Sequence, residues 1–310
     1  KNIIRMFRRG INHLRYYSNQ AISLPKFISE VKPHLKPPVA NRMIFNEQLQ
    51  LMIVGGPNQR KDYHINEGEE IFFQIDGAMN VDILEKGEHK TIHIPEGYFF
   101  ILPSRIPHSP QRYENTIGLV VERLRKSTES DGLRYFVPGT TKVLYEEYFH
   151  CKDLGSELVP VITRFFASEC SKTNIPAPGM PISSPPVKID YQTSITATPF
   201  NWNEFLSFLS SKSSASGFLI QGAIQSREYN LNIAFGNYKG KIQDSRVGQA
   251  TDTLIWQYRK SSILSYINSE GNKVEIVLQP GDVHLVHTTN EIEIISDDQN
   301  KDGCVISITN

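Results

Sequence analysis

His64, Glu70 and His108 are the side chains of this 310-residue chain whose types and spacing could do chemistry. Five residues separate His64 from Glu70, within Arg60-Lys61-Asp62-Tyr63-His64-Ile65-Asn66-Glu67-Gly68-Glu69-Glu70. The pattern predicts a strand ending near His64, a turn through Asn66-Glu67-Gly68 and a new strand from Glu70. Such a hairpin brings imidazole and carboxylate to one side. Further on, Gly97-x5-Pro103-x4-His108 predicts a strand and turn leading to a second histidine. Two histidines and one carboxylate on adjoining strands can occupy one face of a metal and leave the other open for water, substrate and O2. That is the donor set of non-haem Fe(II) oxygenases. Each member has a plainer reading. A lone His-x5-Glu is most often a surface ion pair or a hydrogen-bonded turn, and His108, between two prolines, could cap a loop.

These residues need a β framework, and the surrounding sequence has that character. From Pro37 to Glu122, short Ile, Val, Phe and Tyr runs are broken by Gly55-Gly56-Pro57-Asn58, Asn66-Glu67-Gly68, Asp76-Gly77, Lys86-Gly87 and Pro95-Glu96-Gly97. Turns at this spacing suit an antiparallel sandwich or barrel. Alternation places Ile71, Phe73 and Ile75 on one face and Glu70, Phe72 and Gln74 on the other. Residues 153–171 read as a helix with Leu158, Ile162, Phe165 and Phe166 on its apolar face. Five prolines between Asn174 and Val187 mark a linker. A short amphipathic helix carries Trp202, Phe205, Leu206 and Leu209, and β patterning returns from Gly217 to Ile308. Pro280-Gly281-Asp282 echoes Pro95-Glu96-Gly97 before a strand, which points to an internal duplication. His93 alternates with Ile92 and Ile94 and should face solvent. His284-x-x-His287 would pair on a helix, but on a strand the two rings fall on opposite faces.

Composition narrows the partners. Lys+Arg and Asp+Glu both number 33, so the formal net charge is zero, which disfavours nucleic-acid binding by bulk electrostatics. No uncharged apolar run approaches the ~20 residues of a membrane span. Cys151, Cys170 and Cys304 form no CxxC motif and no disulfide framework, so a reducing compartment is expected. The first acidic residue is Glu30, after six basic ones, and Arg15-Tyr16-Tyr17-Ser18 is similar to a matrix-processing site. A mitochondrial address is therefore an alternative to the cytosol.

The Glu70-x6-Gly77 and Gly97-x5-Pro103-x4-His108 spacings resemble the two motifs of the cupin superfamily. Asp62 stands where the first histidine of the usual His-x-His would be, which predicts three ligands rather than four. Four longer stretches carry a closer resemblance: Gly55-Gly56-Pro57-Asn58-x-Arg60-Lys61-Asp62-Tyr63-His64, Pro103-x-Arg105-x-Pro107-His108-Ser109-Pro110-Gln111-Arg112, Gly118-Leu119-Val120-Val121-Glu122-Arg123 and Asp131-Gly132-Leu133-Arg134-Tyr135. Tyr148-Phe149-x-Cys151-Lys152-Asp153-Leu154-Gly155 continues it. The chain resembles the eukaryotic 3-hydroxyanthranilate 3,4-dioxygenases, strongly over residues 37–170 and weakly but collinearly beyond.

The resemblance implies a mainly β bicupin, two jelly-roll barrels with a few connecting helices, the second without a metal site. The expected division is an extension over 1–36, a catalytic cupin with its following helix over 37–173, a Pro-rich linker over 174–194 and a degenerate cupin over 195–310. The helices near 153–171 and 201–210 are expected to join the two barrels. The implied reaction inserts both atoms of O2 into 3-hydroxyanthranilate, with one Fe(II) per chain on His64, Glu70 and His108. The implied roles are Arg112 on the substrate carboxylate, Glu122 accepting from the substrate amino or hydroxyl group, and Arg60 beside bound dioxygen. Strand parity with His64, His108 and Val120 permits these three roles but does not require them. The second half is expected to have no His-x5-Glu and no Gly-x5-Pro-x4-His. It also lacks the CxxC iron site of bacterial relatives, Cys304 standing alone near the end. A monomer acting on a small molecule and O2, with no nucleic acid or membrane, is the expectation. The alternatives are a non-catalytic metal-binding cupin or another bicupin enzyme, such as a flavonol dioxygenase or oxalate decarboxylase.

Overall fold

A computed structural model describes residues 20–36, 40–195, 198–242, 252–287, 292–296 and 302–310. The Arg15–Ser18 stretch lies outside these residues. The first barrel comprises β2 (Asn41–Asn46), β3 (Leu49–Gly55), β4 (Tyr63–Ile65), β5 (Glu70–Asp76), β6 (Met79–Glu85), β7 (Glu88–Ile94), β8 (Tyr98–Leu102), β9 (His108–Arg112), β10 (Ile117–Arg123), β11 (Asp131–Phe136) and β12 (Val143–Phe149). The second comprises β14 (Gly217–Gln225), β15 (Asn230–Gly236), β16 (Lys239–Ile242), β17 (Thr253–Arg259), β18 (Ser262–Ile267), β19 (Lys273–Leu278), β20 (Asp282–Val286), β21 (Ile292–Ser296) and β22 (Cys304–Thr309). Preceding each barrel in the chain is a two-residue strand running directly into a helix: β1 (Ile22–Ser23) with α1 (Leu24–Val31), and β13 (Phe200–Asn201) with α4 (Trp202–Ser210). Between the barrels lie α2 (Leu154–Ala167) and α3 (Glu169–Thr173).

Each barrel is two antiparallel sheets, as the cupin resemblance predicts. In the first, order β13-β8-β5-β10-β3-β2 faces order β12-β11-β4-β9-β6-β7. In the second, order β1-β20-β17-β22-β15-β14 faces order β16-β21-β18-β19. The strand-and-helix arms are therefore exchanged. β1 adds to β20 of the second barrel, and β13 adds to β8 of the first. The echoed turns receive them alike. The Leu24 N–H donates to the Gly281 carbonyl at 3.0 Å, and the Trp202 N–H to the Gly97 carbonyl at 2.9 Å. Both glycines have positive φ, 75° at Gly97 and 85° at Gly281, which a side chain would strain.

The alternation read along 70–76 holds. Phe72 packs inside the first barrel with Val81, Ile83, Phe100 and Val120. Ile71 and Phe73 point the other way, into a core shared by both barrels with Leu231, Trp256, Ile306 and Ile308. Burying two apolar sheet faces against each other removes both from water, which is the main force joining the halves.

Four expectations about the helices and the Pro-rich segment need correction. The helix over 153–171 is two helices, parted by Ser168 in extended conformation. Phe166 does not share the buried face but stands 54% exposed, while Val161 takes its place beside Leu158 and Phe165. α2 lies on the outer side of the first barrel, Phe165 stacking on Tyr135, and does not join the barrels; α4 alone of the two lies in the shared core. The Pro-rich segment is bound along the first barrel: Ile182 N–H donates to Glu146 at 2.6 Å, Asp190 N–H to the Arg105 carbonyl at 3.0 Å, and Val187 is fully buried.

Candidate metal centre

β4 and β9 cross the middle of one sheet and place His64 directly opposite His108. Glu70 opens β5 in the facing sheet, beside Leu102 of β8 and Glu122 of β10. The connection 66–69 is thus no hairpin but a crossing between sheets at the barrel mouth. The three side chains are all buried, and one donor atom from each lies within 4.8 Å of the others. Glu70 Oε1 is 3.1 Å from His108 Nε2 and 3.8 Å from His64 Nδ1.

The neighbours of the histidines orient them. His108 Nδ1 donates to the Ile106 carbonyl at 2.9 Å, and His64 Nε2 donates to Asp131 Oδ2 at 2.7 Å. Each bond leaves the other ring nitrogen as a lone pair aimed at Glu70. Asn66 Nδ2 donates to Glu70 Oε1 at 2.9 Å and fixes the carboxylate. Three electron-rich atoms so close need a cation between them, a proton on His108 or a metal ion. Burial pushes Glu70 upward, but the two histidines overcome it and bring it down to about 2. Burial likewise disfavours charge on both imidazoles; for His108 the adjacent Glu70 reverses this and raises it, whereas His64 stays lowered despite Asp131. A cation is what this pocket favours, and an imidazole-carboxylate set suits a first-row divalent metal.

The other predicted residues surround this cluster. Arg112 closes β9 two strand periods past His108, on the same face, as expected. Its guanidinium is buried and its Nε has no hydrogen-bond partner. Burial brings it down to about 10, Glu70 opposing and Arg60 adding to the shift. Glu122 stands in register with Glu70, as its parity with Val120 predicts. Burial pushes it up to about 7 against the pull of Arg125, whose Nη1 is 2.5 Å from Glu122 Oε2. For Arg60 the parity argument fails, because residues 57–62 form a loop, not a strand. Gln111 holds that loop, accepting from the Arg60 N–H and donating to its carbonyl, both at 3.0 Å. Asp62 turns from the cluster to pair with the Arg60 guanidinium.

Sequence reasoning missed two residues here. Asp131 is fully buried and receives both His64 and Arg125; Arg125 in turn bridges Asp131, Glu122 and Gln50. Asp131 opens one of the matched motifs, which was its only signal. Arg125 sits outside them and had none.

The plainer readings hold for the remaining histidines. His93 is exposed and bonds Asn80. His284 lies inside β20, 2.9 Å from the Tyr266 hydroxyl, whereas His287 follows the strand and pairs with Asp252 at 3.1 Å. A His-x5-Glu spacing does recur in the second half, at His287 and Glu293, but Glu293 sits in β21 opposite Ser265 and Lys241. Among the described residues, His64, Glu70 and His108 form the one metal-competent cluster.

Residues 16–166 match the family described as 3-hydroxyanthranilic acid dioxygenase. The chain is 43% identical to the 3-hydroxyanthranilate 3,4-dioxygenase of Xenopus tropicalis over 86% of its own length and 90% of that protein. It is 38% identical to the Nematostella vectensis enzyme of that name, over 86% of this chain and 98% of the relative. In fold it is similar to a solved oxalate decarboxylase, with a TM-score of 0.52 at 16% identity, covering 94% of this chain and 77% of that one. Identity so low speaks for the bicupin architecture alone. With its matched motifs converging on a buried metal-competent cluster, the chain belongs to the 3-hydroxyanthranilic acid dioxygenase family.

Proposed function

We propose that the first barrel opens the ring of 3-hydroxyanthranilate between C3 and C4, placing both atoms of O2 in the product, 2-amino-3-carboxymuconate semialdehyde. That product cyclises to quinolinate on the way to NAD. The observation that carries this reading is a buried guanidinium without a carboxylate, Arg112, on the strand that also carries His108. A buried unpaired cation is costly, so a site that keeps one is built for an anionic guest.

We assign the metal to Fe(II), one per chain, on His64, Glu70 and His108. Bound there, it would act as a Lewis acid toward the aminophenol and would activate O2. The remaining work belongs to the protein. Arg112 grips the substrate carboxylate through its planar fork and fixes the ring's orientation. Glu122, held by Arg125, accepts a hydrogen bond from the amino or hydroxyl group. Arg60, held by Asp62 and Gln111, presents positive charge to the oxygen side. Asp131 and the Ile106 carbonyl keep both imidazoles in their ligating tautomers. The shared core of the two barrels supports a monomer, since it covers the face through which such barrels would otherwise pair. The family resemblance supports the cytosol, and a reporter carrying residues 1–29 tests that address: mitochondrial accumulation would overturn it.

Anaerobic loading with Fe(II), followed by 3-hydroxyanthranilate in air, is the decisive experiment. The expected result is growth of the semialdehyde chromophore with one O2 consumed per substrate. A fully loaded chain that consumes no O2 would leave the non-catalytic metal-binding reading in its place.

A further inference from the structure

Glu228 and Tyr229 belong to the turn between β14 and β15 in the second barrel, yet their partners lie beside the cluster of the first. The Glu69 N–H donates to Glu228 Oε2 at 2.7 Å. The Glu228 N–H donates to Glu69 Oε2 at 3.1 Å, and the Tyr229 hydroxyl donates to the Glu69 carbonyl at 3.0 Å. Both polar groups of the Glu69 backbone are thus held by the other barrel, and Tyr229 is fully buried. Glu228 Oε1 also accepts from Arg123 Nε at 2.8 Å, while the other nitrogens of Arg123 grip Glu129 at 2.7 and 2.8 Å. Glu69 directly precedes Glu70, and Arg123 directly follows Glu122. The second barrel therefore holds the chain at the residue adjoining each of the two site carboxylates.

Loop 66–69 has few other anchors. Its own barrel contributes the Arg105 N–H on the Asn66 carbonyl at 2.9 Å and the Asn66 side chain on Glu70, and the β5 ladder starts only at Glu70. A carboxylate at the first position of a strand takes its place from the residue before it. We infer that Glu228 and Tyr229 are positioning residues of the metal centre, through which the second barrel clamps loop 66–69 and sets where the Glu70 carboxylate stands. This rests on the reading of His64, Glu70 and His108 as metal ligands.

The test measures metal rather than turnover. The full-length chain is loaded with Fe(II) under argon, and transfer of the metal to a chromophoric chelator is timed. Tyr229→Phe keeps the ring and removes only the hydroxyl that holds Glu69; Glu228→Ala removes the carboxylate. Each should release metal about tenfold faster, the lower end of what outer-shell substitutions do to metal affinity. Ile306→Val, which trims the shared core away from the loop, should release at the parent rate. Glu70→Ala should fail to hold metal at all. If Glu70→Ala still binds Fe(II), the ligand assignment is wrong. If Glu70→Ala loses it while Tyr229→Phe and Glu228→Ala release at the parent rate, the clamp is wrong and the ligand assignment stands. Release from Ile306→Val as fast as from Tyr229→Phe would reduce the effect to general loosening and also sink the clamp.

Discussion

Apart from β11 and β12, which have no counterpart among the described residues, the strand orders of the two barrels correspond, and the same register carries opposite chemistry. Glu70 lies opposite Leu102 and Glu122; the equivalent Thr253 lies opposite Val286 and Thr309. His64 opposes His108 where Ile242 opposes Ile292. Arg112, paired with Met79, becomes Ser296, paired with Ser262. The second barrel fills these positions with isoleucine, threonine and serine, and its interior closes into an apolar cluster that includes Ile242, Leu264 and Ile292. A barrel interior can be spent on packing or on a site, because each polar group left inside needs a partner. Here the first barrel keeps the charged cluster in its interior, and the second gives the same positions to packing.

The most severe way to break this comparison is to make the first barrel like the second. His64→Ala, Glu70→Ala and His108→Ala should each weaken metal binding by at least about 100-fold, with loss of turnover, because a ligand counts for more than the outer-shell contacts that cost about 10–100-fold. Their far-ultraviolet dichroism should stay parental, since the neighbouring apolar cluster of Phe72, Val81 and Phe100 includes none of the three residues. Thr253→Ala should leave iron content unchanged; a fall would show that the second barrel holds metal after all.

Next in size is the shared core. Trp256 meets Phe73 edge-on at 5.2 Å across the barrel boundary. Trp256→Ala should cost about 3–5 kcal/mol of stability in denaturant titration. Both barrels should then unfold in one earlier transition. Two separated transitions would show that the halves fold without each other.

The second barrel also has a titration of its own. Burial holds His284 down to about 4, against an ordinary 6.5. The unfolded chain binds the proton more readily, so this stability is complete above pH 6.5 and is lost as pH falls towards 4. The loss is on the order of 3 kcal/mol. His284→Gln, which does not titrate, should flatten that part of the stability–pH curve and leave metal content alone. An unchanged slope between pH 6.5 and 4 would place the titrating group elsewhere.

The smallest effect expected is on substrate grip. Arg112→Lys keeps charge but loses the fork, and should weaken 3-hydroxyanthranilate binding by about 1–3 kcal/mol. A 2-aminophenol without the carboxylate should bind both forms alike. Equal losses for the two compounds would remove Arg112 from that role.

Much of this is legible in the sequence. The turn spacing, the alternation at 70–76, the spacing of His64, Glu70 and His108 and the parity of Arg112 all act over a few residues, where local geometry rules. The exchanged arms are not, because nothing in Ile22-Ser23-Leu24 distinguishes its own barrel's edge from the other's. The break at Ser168, the exposure of Phe166 and the loop that carries Arg60 also depended on what packs alongside.

By itself, then, the sequence determined the family, the two-barrel plan and the residue types of the site, since strand period and motif spacing are properties of short segments. Only the tertiary structure decided that Asp131 and Arg125 orient His64 and Glu122, that Asp62 serves Arg60, and that Glu228 and Tyr229 reach Glu69. Those contacts join residues from 2 to 160 positions apart, and for the distant ones the partner is chosen by how sheets stack and cross. Chain-local periodicity carries no record of that choice.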